Sequence, residues 1–469
     1  MRKFLIAGAC ALALVTAGGV AAVARQNELS EQAQTFRMLS LFGDVLAVVN
    51  RLYVVDVDNT KLIEAALDGM MQALDPHSSY MSAADYAPVR ERSEGQYSGV
   101  GLDLSAEGGL IKVVSPMDGG PAQRAGVLPG DVISAVDGQS VTGLPMREVS
   151  QKLRGAAGTE VRVTFLRDGA EPREVTLTRD IIRVSAVRSR MEGDIGYIRV
   201  AIFNERAGVE TREAAERLLA ENPNMRGLVL DLRNNGGGVL ESAIEMTDAF
   251  LERGEIVSKR GRRLEDIQRY HATAGDVLNG LPLVVLINYG SASASEIVAG
   301  ALKDHERATI VGLTSFGKGS VQTVMPLRGG QDGALSLTTH RYYTPSGRSI
   351  QKIGIEPDLE VARSAAEARI VARSSFIYSE AAYANALDSS IGEERRAPHE
   401  PAEVPPEGYA EDGDFQLERA LDLLRAGGDL ASLPPIRQPE PEAEDEAADE
   451  APTPGTMRPI PNPPRGRRR

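Results

Sequence analysis

Three residues in the stretch NYGSASASEIVAGALKDHERATIVGLTSFGKGSVQ, Asn288 to Gln322, have the types that cleavage of an acyl bond requires. Ser293 sits in a cluster of small residues where an apolar run, Leu281 to Asn288, reads as a buried strand and gives way to a helical pattern. A serine at a helix start is exposed where backbone N–H groups and the helix dipole favour developing negative charge. Lys318 follows the turn TSFG and opens KGSVQTVMPL, a second strand pattern. On strict alternation Lys318, Ser320 and Gln322 share one face of it. A serine nucleophile, a lysine base and an amide that holds the lysine make a serine–lysine hydrolase. The base must be neutral to act, and a lysine of ordinary pKa, about 10.4, is not neutral at physiological pH. Burial disfavours the ammonium, and Val311, Leu313 and Phe316 offer an apolar setting for it. The Gln322 side-chain oxygen then accepts one lysine hydrogen and leaves the nitrogen lone pair for Ser293 Oγ.

Plainer readings compete. Ser293 and Glu296 fit the S-x-x-E capping pattern, so the serine could do no more than close a helix start, and a lone lysine is most often solvated or ion-paired. The string RGLVLDLRNNGGGVLESAIEMTDAFLERG reads as a buried strand over Gly227 to Leu232, a tight turn over Asn234 to Gly238 and an amphipathic helix over Val239 to Leu251. Its glycines permit close backbone approach and expose N–H groups to a reacting atom, although a simple strand-to-helix turn explains them too. Neither G-x-G-x-x-G nor G-x-x-x-x-G-K-[ST] occurs, which sets a phosphate site aside.

The serine and lysine string as a whole resembles the C-terminal processing peptidases, a family of serine–lysine endopeptidases. That resemblance makes Ser293 the nucleophile, Lys318 the base and Gln322 its partner. It also assigns the oxyanion donors to the N–H groups of Gly238 and Ala294; Gly236 stands where the family usually has proline. DPHSSYMSAADY, Asp75 to Tyr86, and YYTPSGRSIQKIGIEPD, Tyr342 to Asp358, extend the match over roughly 35 to 360. The implied fold is mixed α/β and multidomain, a crotonase-like ββα protease core with an inserted PDZ domain and an N-terminal helical segment. No cofactor and no metal are implied.

Upstream, YSGVGLDLSAEGGLIKVVSPMDGGPAQRAGVLPGDVISAVDG has the short strands and turn glycines of a PDZ domain. Such domains take a peptide as an added strand and hold its terminal carboxylate on backbone N–H groups. That places the carboxylate at Ser98, Gly99, Val100, Gly101 and Leu102, with a helix around Pro145 to Leu153. The implied partners are protein or peptide substrates with free C-termini, an envelope adaptor and a homo-oligomer, and the implied substrates are envelope proteins. A PDZ module beside a silent hydrolase core, serving as scaffold or holdase, is the competing reading, and an esterase is a second; the intact Ser293, Lys318 and Gln322 oppose the first and the lack of a G-x-S-x-G elbow opposes the second.

The chain has 469 residues, enough for two or three domains. Residues 1–26 pair Arg2 and Lys3 with an apolar run, Phe4 to Ala24, and small residues near Ala22 and Ala24, the pattern of a secretory signal or an uncleaved anchor. Export to the periplasm or cell envelope follows. Cys10, the one cysteine, lies within that run, so the rest of the chain has no disulfide and no thiol nucleophile. The histidines, His77, His271, His305, His340 and His399, lack metal-ligand spacing, and the adjacent Asp304 and His305 do not make a spatial triad. His77 reads as structural. A net charge of −14 argues against nucleic acid as a partner.

The domains expected are a signal over 1–26, a helical segment over 27–93 packed on the protease core through Phe36, Leu39, Phe42, Val45, Leu46, Val49 and Leu52, a PDZ domain over 94–182, and the core over 183–385. Residues 386–469 are Pro- and acid-rich and read as a disordered tail, broken by one amphipathic helix with Phe415, Leu417, Ala420, Leu421 and Leu424 on a face.

Overall fold

The structure, a computed structural model, describes residues 32–436 apart from 118, 168–169, 274, 374–377, 390–394, 396 and 411–412. The signal or anchor pattern of residues 1–26 and the acidic and basic stretches after 436 lie outside the described residues.

Two helices lead the described residues, α1 (residues 32–52) and α2 (Asn59–Gln72), the second capped by the Asp58 carboxylate, which accepts from Thr60 N–H at 2.9 Å. Here the expectation of packing fails. Phe36, Leu39, Phe42, Val45 and Leu52 are exposed, because α1 runs clear of the core and the chain joins a sheet only at β1 (Ser79–Met81). A third helix, α3 (Ala83–Glu94), is closed by Ser82 at its start and by Gly95 in the left-handed region, φ 66°, at its end.

From there β2 (Gln96–Gly99) leaves for an inserted domain, and β9 (Asp180–Arg183), antiparallel to it, returns. Between them lies an antiparallel sheet of β3 (Leu102–Glu107), β4 (Leu110–Pro116), β5 (Val132–Val136), β7 (Glu160–Leu166) and β8 (Arg173–Thr178), with β6 (Gln139–Ser140) on β5. The helices α4 (Pro121–Arg124) and α5 (Met146–Leu153) accompany it. Ile111, Val113, Ile133, Val149, Val163 and Phe165 fill its own core, as the alternating pattern of short strands requires.

The main body has two sheets. The first runs β10 (Val187–Glu192), β11 (Ile195–Val200), β12 (Leu228–Asp231), β15 (Leu283–Ile287), β16 (Thr309–Gly312), β19 (Leu359–Glu360), parallel from β11 onward. Its inner strands read LVLD and LVVLI and are buried at every residue, the mark of a sheet covered on both faces. One cover is formed by α6 (Ala207–Glu221), α7 (Leu240–Asp248) and α8 (Ala294–Asp304). The second sheet is antiparallel: β13 (Glu255–Arg260), β14 (Gln268–His271), β17 (Ser320–Pro326) and β18 (Ala334–Tyr343), with β1 on the edge of β18.

The other cover corrects the expectation of a loose tail. After α9 (Ala365–Arg373) the chain crosses back, Glu403 bonds to Glu360 and Ala362, and α10 (Phe415–Arg425) lays Phe415, Leu417, Ala420, Leu421 and Leu424 on Tyr197, Val229, Val284, Leu286 and Val311. The Pro- and Glu-rich composition misleads because the apolar face of α10 has a partner, the outer face of the parallel sheet, that local composition does not disclose. Leu423, fully buried in this layer, is expected to cost about 2–5 kcal/mol on replacement by Ala. Urea unfolding that shows no change would return this segment to the status of a tail.

Candidate active site

Strands β12, β15 and β16 are adjacent and parallel, so their C-terminal ends lie on one edge of the sheet, where ligand sites of open α/β sheets collect. Each end carries one of the segments singled out from sequence. The glycine loop follows β12, the serine cluster follows β15, and the lysine loop follows β16.

The first two are laced together. Asn288 accepts the Asn234 N–H at 2.9 Å and donates to the Asn234 carbonyl oxygen of the side chain, also at 2.9 Å. Ser291 Oγ donates to Leu232 O at 2.9 Å. Asn235 takes the Ala292 N–H at 3.0 Å and the Ser295 hydroxyl at 2.8 Å on its backbone oxygen, while its side chain accepts the Gly237 N–H and donates to Val200 O. Ser293 sits at φ 55° and ψ −111° before α8, a conformation that non-glycine residues rarely adopt and that persists where surroundings over-determine it.

Gly237 closes on it from the side, with Gly238 beside it against Phe203. A Cβ on Gly237 would stand 2.9 Å from Ser293 Cβ, and one on Gly238 would stand 2.0 Å from Phe203 O. Among the described residues, neither the Gly238 N–H nor the Ala294 N–H donates a hydrogen bond. The N–H of Gly237 is occupied by Asn235. Two free donors therefore belong to the segments that meet at Ser293, Ala294 next to it in the chain and Gly238 next to Gly237, and an oxyanion needs such donors.

What joins serine to lysine is Glu296, which sequence reading gave only a capping part. Its carboxylate is fully buried. Oε2 accepts the Ser293 N–H at 2.7 Å and the Lys318 N–H at 2.9 Å, and Oε1 accepts Ser315 Oγ and the Gly317 N–H, both at 2.6 Å. Phe316 N–H also reaches Ser291 O at 3.0 Å. The only sequence signal for Glu296 is its place three residues after Ser293; its donors from the lysine loop lie too far along the chain to be read.

Burial pushes the Lys318 ammonium below its ordinary value, against the opposing charges of Glu380, Glu296 and Asp75. Val311, expected beside it, faces the α10 layer instead, because consecutive residues of a strand point to opposite faces. The alternation argument for Gln322 also needs correction: Lys318 precedes β17, and the β17–β18 register shifts between Val321 and Gln322. Gln322 Nε2 nevertheless bonds Ser320 Oγ at 3.0 Å and Thr338 Oγ1 at 3.1 Å, which leaves its oxygen as an acceptor. No hydrogen bond joins Ser293 Oγ to Lys318 Nζ among the described residues.

In the inserted domain, Gly99, Val100, Gly101 and Leu102 line a groove with Tyr97, Leu104 and Arg154. The Val100 and Gly101 N–H groups make no hydrogen bond among the described residues, so they are available to a carboxylate. Ser98 does not line the groove; it lies in the β2–β9 ribbon opposite Ile181.

A parallel sheet presenting serine, lysine and free N–H donors at one edge, with a peptide-strand domain inserted, defines a PDZ-bearing serine peptidase. The family models match in the same order: "Activating protease CtpB N-terminal domain" over residues 13–85, "PDZ domain" over 112–167 and "Peptidase family S41" over 194–361. The chain is 44% identical over 420 residues to a carboxy-terminal-processing protease of Bartonella bacilliformis, covering 88% of this chain and 94% of that one. It is 37% identical over 329 residues to a probable CtpA-like serine protease of Staphylococcus aureus (strain COL), covering 69% and 64%. Among solved structures it is similar to a photosystem II D1 C-terminal processing protease, at 33% identity and TM-score 0.40, covering 68% and 92%. This chain belongs to the S41 peptidases of the C-terminal processing kind.

Burial pushes the Glu296 carboxyl up from 4.5 to about 7, while its four donors pull it back. A folded value above the unfolded one favours the protonated form, so its contribution to stability is present below 4.5 and is lost as pH rises to about 7. Glu296→Gln is expected to narrow its stability deficit against the parent across that window in urea unfolding. It turns one acceptor into a donor facing N–H groups, and kcat/KM should fall at least about tenfold, since a hydrogen bond to a charged group contributes roughly 1.5–3 kcal/mol. Unchanged kcat/KM would contradict the clamp.

Proposed function

We propose that this protein is an exported serine endopeptidase that recognises free protein C-termini through its PDZ domain and cleaves envelope proteins, with Ser293 as nucleophile and Lys318 as base. The observation that carries the reading is the single Glu296 oxygen shared by the Ser293 and Lys318 N–H groups. Ser293 Oγ attacks the peptide carbonyl carbon and its proton passes to Lys318 Nζ. The Gly238 and Ala294 N–H groups hold the resulting oxyanion. Collapse of the tetrahedral adduct breaks the C–N bond, and Lys318 gives its proton to the leaving amine. Water then repeats the cycle on the acyl-enzyme, with the same lysine as base. Gln322 orients the lysine by accepting one of its hydrogens. Export is supported by Arg2, Lys3 and the apolar run from Phe4 to Ala24.

Mass spectrometry of a loosely folded test protein should show fragments with the parent enzyme and none with Ser293→Ala; the same fragments with both would remove Ser293 from the reaction. A peptide ending in a free carboxylate should be cleaved at least about tenfold faster than its amidated twin, given the worth of hydrogen bonds to a charged group. Equal rates would contradict carboxylate recognition.

A further inference from the structure

Behind the lysine loop lies a buried acid that the reaction scheme leaves unused. Glu380, in the short turn of Glu380–Ala382, is 1% exposed at its side chain. His77 Nε2 donates to its Oε2 at 2.7 Å, and Gln351 Nε2 donates to its Oε1 at 2.9 Å. Gln351, fully buried, turns its oxygen to the Gly319 N–H at 3.0 Å, and the Glu380 N–H itself bonds Phe316 O at 3.0 Å. Residue 380 thus holds the loop on both sides of Lys318, with its backbone N–H at Phe316 and with its carboxylate, through Gln351, at Gly319. Tyr383 packs edge-on to both His77 and Phe316, at ring distances of 5.9 and 6.4 Å.

We propose that Glu380 is a positioning residue for Lys318: it anchors the loop that carries the lysine and holds a carboxylate, fixed by His77, behind that loop. The inference rests on the reading of Lys318 as the base. Three acids act on that lysine. Glu296 is committed to four donors, and Asp75 is held low by bonds from Ser78, the His77 N–H and Thr338 that outweigh its burial. Glu380 is the acid whose donors include a titratable group, His77. Arg395, half-buried and bonded to Phe316 O at 3.3 Å, is a further charge that acts on Glu296. His77 belongs to the turn that follows α2, so the contact ties the helical segment to Glu380, 303 residues further along the chain.

The neutral amine is the active form, so kcat/KM rises with pH as Lys318 loses its proton. A neighbouring carboxylate favours the ammonium. Glu380→Gln keeps the shape, and an imidazole can accept from its amide as well as donate. It is expected to move the rising limb of kcat/KM about one pH unit lower, raising relative activity on the acid side about tenfold. Acetylation of Lys318 by acetic anhydride in the Ser293→Ala protein, followed by peptide mass mapping, should move by the same amount, and it reads the lysine without catalysis. If Glu380→Gln does not fold, His77→Lys, which sets a cation on Glu380 at a partly exposed position, should lower the limb in the same direction. A limb and a labelling profile that stay in place, or rise, in the folded variant would overturn the proposal. An active Lys318→Ala enzyme would instead overturn the reading of the base.

Discussion

The Glu296 carboxylate has no access to solvent, and four donors from two chain segments close on its two oxygens. An ionised acid in that position is costly to bury unless its lone pairs are satisfied. The donors that satisfy it are one backbone N–H of the serine loop and two backbone N–H groups and the Ser315 hydroxyl of the lysine loop, so compensating the charge and bringing the two loops together are one event. The geometry that follows is set by backbone N–H groups, which have far less freedom than side chains.

The loops can be held this way because the sheet delivers them. Parallel pairing of β12, β15 and β16 puts three strand ends on one edge, because parallel neighbours need a crossover that returns the chain to the opposite edge. The glycine loop is then fixed from behind. Arg233, just before it, is nearly buried and bonds Asp231 at 2.6 Å and Asp414, the residue that caps α10, at 2.7 Å. Thus the C-terminal helix contributes twice, as the apolar cover of the sheet and as the counter-charge that keeps the arginine next to the glycine loop in place.

Much of this was legible along the chain. Apolar runs such as LPLVVLIN locate buried strands because period and composition are local properties, and the helix carrying Phe415 to Leu424 forms where its spacing puts one. The serine, lysine and glycine segments are likewise each short enough to be read whole. What could not be read are relations between distant segments. Glu296 looks like a cap because its partners at Ser315, Gly317 and Lys318 come from another strand end. His77 and Glu380 meet although almost the entire protease core separates them in sequence. The alternation that puts Gln322 on the face of Lys318 is interrupted by a register shift beside it, and Val311, apolar and close to the lysine in the chain, points to the α10 layer. The stretch up to 436 hides its structure for the same reason in reverse: Pro and Glu dominate its composition, while the apolar face of α10 has a dedicated partner surface.

The central claim is that Lys318, brought to Ser293 through Glu296, activates that serine. Labelling with a fluorophosphonate probe, with the adduct located by mass spectrometry, tests it without any assumption about the natural substrate. The account predicts one adduct, on Ser293, forming readily in the parent protein and lost in Lys318→Ala protein that remains folded. An adduct on another serine, or equal labelling of Ser293 without the lysine, would contradict it.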